Sequence, residues 1–158
     1  MKDEFIKQYQ HTWKIFEGTV KDFDKIAWIR AGCGKTTPAR MALHILQGVK
    51  YYLEDSSTLV FPSGKSFEID WRTAQDDELP SQSDILAGLH ELEARTEKWL
   101  GEIDFHAENK SFDWAGKTKL GVVIFLLRHN LYHIGELSAL LNESKHGVTE
   151  DNWIKAFG

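Results

Sequence analysis

One stretch limits what this chain can fold into more than any other: KLGVVIFLLRHNLYHIGELSALLN, from Lys119 to Asn142. Val123, Leu126, Leu127, Leu137, Leu140 and Leu141 recur at the helical period with no proline among them, so the spacing predicts one long helix over 120–142. Thr118 stands where a side chain caps a first turn. Its anomaly is a pair of histidines. His129 and His133 lie one turn apart, on one side of the helix and beside the apolar seam, where an imidazole needs a partner. Gly135 follows at once and narrows the helix beside His133, and Glu136 lies three residues on along much the same face.

Other periodic segments supply what that helix packs against. A first helix is expected over 3–29, with Phe5, Tyr9, Trp13, Phe16, Val20, Phe23 and Ala27 on one stripe and His11 off it, facing solvent. Thr37 followed by Pro38 reads as an N-cap with proline at the first helical position, opening a second helix over 38–53. Apolar residues almost encircle it, and His44 sits among them. Ser81 or Ser83 starts a third helix reaching to 104, Ser81 with Asp84 resembling a capping box, and His90 lies at its boundary. A short helix over 149–157, capped by Thr149, is expected to dock through Trp153 and Phe157. Between 54 and 80 the periodicity fails. Pro62, Gly64 and clustered Ser and Asp make this a long connection, with a short extended pair expected around 59–61 and 67–71. Structureless connections of this length often line sites; here Phe61, Phe67 and Trp71 are placed to close one end of the core.

The fold class is therefore all-α: one domain over 1–158, a four-helix bundle with a long crossover between helices two and three and a short C-terminal helix. A net charge of −5 disfavours nucleic acid and anionic membranes as partners. The single cysteine, Cys33, excludes an intrachain disulfide, and the opening MKDEFIKQYQ has no signal-peptide core; a cytoplasmic location is expected. The GKT at 34–36 is not a phosphate loop, because Ile29 stands where the motif requires glycine and a helix precedes it.

A bundle gives the histidines a geometry. His129 and His133 share a face, and His44 from the second helix can meet them across the interior. Three neutral imidazoles at about 2.0 to 2.1 Å, with a fourth position open, suit zinc first and would accept nickel or iron. Glu136 is then a candidate catalytic base or an orienting group.

The segments LLRHNLYHIGELSALLN and ARMALHILQGVKYYL resemble the last-helix signature HxxxHxGQL and the histidine-bearing second helix of the DinB-like, or YfiT-like, four-helix-bundle metalloenzyme superfamily. The likeness spans the whole chain, with one departure: Glu136 stands where the family commonly has glutamine. The resemblance implies a divalent metal on His44, His129 and His133. Relatives include thiol S-transferases that use bacillithiol or mycothiol, a maleylpyruvate isomerase and proposed hydrolases. It thus implies transfer of a low-molecular-weight thiol to an electrophilic small molecule, with hydrolysis or noncatalytic binding as alternatives, and a homodimer.

Overall fold

The computed structural model describes residues 1–32, 36–147 and 151–157. Cys33, Gly34, Lys35 and Thr149 lie outside the described residues. Four long helices form the body: α1 (Lys2–Asp22), α3 (Pro38–Tyr52), α4 (Gln82–Glu102) and α5 (Lys119–Ser144), with short helices α2 (Lys25–Trp28) and α6 (Asn152–Lys155). α1 packs on α4 and α5, and α3 packs on the same two. The four therefore close a bundle around Tyr9, Trp13, Phe16, Leu43, Leu46, Ile85, Leu92 and Leu126, all almost fully buried. No helix among the described residues is long and apolar enough to cross a membrane.

Contacts at the helix ends fix the directions. Gln10 of α1 bonds Glu97 late in α4, while Gln82 at the start of α4 donates to the carbonyls of Val20 and Phe23 at the end of α1. α1 and α4 are thus antiparallel. α3 and α5 are antiparallel as well, since His44 meets His133 and Tyr52 meets Phe125. The Tyr9 hydroxyl donates to the Val123 carbonyl, and Leu140 borders Gly32 beyond α2, so α1 and α5 run together. It follows that α3 and α4 are parallel, and residues 53–81 carry the chain back between them. This connection is tied down by a buried carboxylate: Asp84 accepts from the backbone and hydroxyl of both Ser63 and Ser81. Burial raises the Asp84 pKa, but those bonds outweigh it and hold the group below the usual range.

Several local expectations give way. The first helix does not continue to 29: Phe23 turns extended, and the Asp24 side chain accepts from the backbone N–H of Ile26 and Ala27, which starts α2 afresh. In place of an extended pair the connection holds one isolated bridge, Val60 to Ser66, and both Phe61 and Phe67 are core residues. Thr118 occupies the N-cap of α5 without a side-chain cap bond. α6 is shorter than 149–157 and is capped by Asp151. Thr37 with Pro38, and the reciprocal Ser81 and Asp84 box, cap α3 and α4 as the sequence indicates.

Candidate metal centre

His44 leaves α3 toward α5 from between buried neighbours, Leu43 and Ile45. His129 and His133 come back from α5, and the three rings converge. One nitrogen from each lies within 4.8 Å of the other two, and His44 Nε2 is 3.1 Å from His133 Nε2. Two nitrogens bound at about 2.0 to 2.1 Å to one tetrahedral ion stand roughly 3.3 Å apart. The spacing of this pair is therefore that of two ligands sharing an ion, and all three residues are half-buried.

The ring orientations have identifiable causes. Glu136 Oε2 lies 2.6 Å from His133 Nδ1, so the carboxylate fixes the proton on Nδ1 and leaves the Nε2 lone pair directed at the triad. The bond is made within α5, between residues three apart. His129 is held differently. Its Nδ1 is 3.5 Å from Oδ1 of the fully buried Asn130, a weaker restraint, and its ring lies against Gly48 of α3. A Cβ on Gly48 would come within 2.7 Å of His129 Cε1. The glycine that makes room for the site is thus Gly48. Gly135, singled out by the sequence for this purpose, is exposed with open space where a side chain would be.

Electrostatics keep two of the imidazoles, His44 and His129, in the form that ligates. Burial first, then the neighbouring His133 and His129, pull the His44 pKa down from 6.5 to about 4, with a smaller push from Arg72. Burial and His133 lower that of His129 as well. Both rings are neutral near pH 7, with lone pairs free for a cation.

α3 also builds the cover. Arg40 and Gln47 flank His44 on one helix face, at i−4 and i+3. Gln47 Nε2 donates to the carbonyls of Phe67 and Ile69 at 2.7 and 2.8 Å, and Arg40 donates to those of Trp71 and Ala74 at 2.9 and 2.7 Å. Four backbone carbonyls of the long connection are thereby fastened over the histidine. Trp71 is laid on the His44 ring, centroids 4.4 Å apart. Beside it a groove of about 710 Å³, bordered by Tyr51, Tyr52, Trp71 and Arg72, reaches His44 and His129. A second cavity of about 720 Å³, between α2 and the end of α5, is lined by Arg30, Leu140 and His146 and does not touch the triad.

The residues singled out in the sequence thus divide cleanly. His44, His129, His133 and Glu136 come together. His90 is exposed and faces Glu17 at 3.7 Å, and His106 and His146 are exposed. His11 is not solvent-facing: it is half-buried beneath Trp153 and Phe157. The sequence reading missed Gly48, Arg40, Gln47 and Arg72. For Arg40 and Gln47 a signal existed, since both share the helix face of His44. No family model matches this chain, and no curated protein or solved structure matches it.

Proposed function

We propose that this chain is a divalent-metal-dependent enzyme of the DinB-like kind, which transfers a low-molecular-weight thiol to an electrophilic small molecule. The observation that carries the reading is the convergence of three imidazoles, one nitrogen from each within 4.8 Å of the other two, beside an open groove. His44, His129 and His133 would hold the ion, zinc by donor chemistry, with nickel or iron also accepted. When bound, the ion supplies a Lewis-acidic position that lowers the pKa of a thiol or of water. Glu136 orients His133 through Nδ1. Trp71 covers the His44 ring and borders the groove that would admit a small molecule.

Hydrolysis is the alternative at the same site, where the ion would lower the pKa of water in place of that of a thiol. In either reaction Glu136, engaged with His133 at 2.6 Å, would orient that ring. The test is metal content of the untagged protein, purified without added metal, beside His44→Ala and His133→Ala. One ion per chain in the parent and loss in both variants is expected. A parent that takes up no divalent ion even when supplied would end the metalloenzyme reading. A thiol-transfer screen of the loaded protein then separates transfer from hydrolysis.

A further inference from the structure

The groove holds one cation whose charge the fold leaves unused. Arg72 lies with its guanidinium carbon 4.8 Å from the Trp71 ring centroid, and Trp71 lies on His44. The three lie in contact in the order His44, Trp71, Arg72, and all three line the groove. Arg72 is exposed, and among the described residues its side chain makes no ion pair or hydrogen bond. The other charges lining the groove are otherwise employed. Lys50 pairs with Glu68 at 3.0 Å, and Asp70 accepts from the backbone N–H of Arg72 at 2.9 Å. Arg72 is not placed by chance either, because Arg40 and Gln47 fasten the segment that carries it.

We propose that Arg72 is the specificity-determining residue of this groove, binding the carboxylate of a small molecule whose reacting end lies at the histidine triad. The inference rests on the metal reading above. A guanidinium offers two parallel N–H donors to a carboxylate, and stacking on Trp71 restricts its plane and so lowers the ordering cost of a paired, charge-assisted bond. The positive charge of Arg72, in the same groove as His44 and His129, would repel a cation bound there. An anion seated on Arg72 removes that repulsion from a bound cation. The carboxylate belongs either to the thiol or to the electrophile, and the chemistry of recognition is the same.

The experiment uses the full chain loaded with cobalt(II), whose absorption reports both occupancy and thiolate ligation. In one arm it is titrated with mercaptopropionate and with mercaptoethanol, thiols distinguished by a carboxylate. In the other, propionate is titrated calorimetrically into the mercaptoethanol complex. If the carboxylate is on the thiol, the parent prefers mercaptopropionate by about tenfold, and Arg72→Gln abolishes the preference. If it is on the electrophile, propionate binds alongside mercaptoethanol in the parent and not in Arg72→Gln. Arg72→Lys retains part of either effect, and both variants take up cobalt and melt like the parent, since the side chain is exposed and unpaired. Cobalt uptake with neither effect dependent on Arg72 overturns the inference and leaves the metal reading standing. Failure of the parent to take up cobalt removes both.

Discussion

Two histidines on this bundle occupy similar surroundings and differ in what reaches them. His11 and His44 are each half-buried on a long helix, and each is covered by aromatic rings from outside the four main helices. Trp153 and Phe157 lie 4.9 and 4.1 Å from His11, and Trp71 lies 4.4 Å from His44. His44 also meets two further imidazoles, one nitrogen of each ring lying within 4.8 Å of the other two, and opens on a groove. Among the described residues the His11 side chain makes no ion pair, and its buried Nε2 has no hydrogen-bond partner. Burial under aromatics therefore does not make a ligand. A candidate ligand set needs convergence of donors, which among the described residues the α3 and α5 pairing provides.

The sharpest way to break this comparison is to remove one histidine from each place. His44→Ala or His133→Ala should reduce affinity for zinc by more than about a hundredfold, beyond the range seen for outer partners of ligands. His11→Ala should leave it unchanged. Competition with a chromogenic chelator measures all three. Equal losses would mean that the effect is general loosening of the bundle.

Gly48→Ala comes next, because its Cβ would stand 2.7 Å from His129 Cε1 and the ring must turn away. Alanine is the better helix former by about 1 kcal/mol, so the melting temperature should fall little while zinc affinity falls about 10- to 100-fold. Loss of fold in step with loss of zinc would make the glycine a packing residue only. Glu136 is expected to matter less and in a graded way. Glu136→Ala should cost about tenfold in affinity, and Glu136→Gln less, since an amide oxygen still accepts from His133 Nδ1. A glutamine variant that keeps its metal but loses all turnover would return the base role to this residue.

The helices and the triad were legible in the sequence because both are periodic signals. Leu126, Leu137 and Leu141 mark the buried side of α5, and His129 with His133 mark its edge. His44 could be added once α3 had to pack on α5. The break at Phe23 was not legible, because the apolar stripe continues past it to Ala27, and only the Asp24 cap shows that a second helix has begun. Gly135 was misread for a related reason: a glycine next to a ligand in sequence need not be next to it in space, while Gly48 on the facing helix is. The hold that Arg40 and Gln47 exert on residues 67–74 is a set of bonds to backbone carbonyls, which carry no side-chain signature at their acceptor end.

Acidity should separate the two histidines further. In the metal-free protein the His44 pKa is lowered from 6.5 to about 4, so between these values the unfolded chain binds more protons than the folded one. Stability is then unaffected above about pH 6.5 and falls as the pH drops toward 4. His129, shifted in the same direction, adds to the slope. Thermal melts of the metal-free parent across this window should therefore be steeper than those of His44→Phe. A parallel pair of profiles would contradict the burial of His44 in neutral form.

The smallest effect is expected at His11, and it tests the other half of the comparison. A buried nitrogen without a partner costs free energy, and replacing it by an apolar group of similar shape is nearly neutral or stabilising. His11→Phe keeps a ring beneath Trp153 and Phe157, so melting should hold or rise by an amount worth up to about 1 kcal/mol. His11→Ala removes both ring contacts, each worth about 0.5 to 1.5 kcal/mol, and should loosen residues 151–157, seen as faster amide exchange there. Neither change should alter zinc binding. If His11→Phe instead destabilised the protein as much as His11→Ala, the imidazole nitrogen would have a partner, and His11 would be a hydrogen-bonding residue like those of the triad and no longer a packing ring.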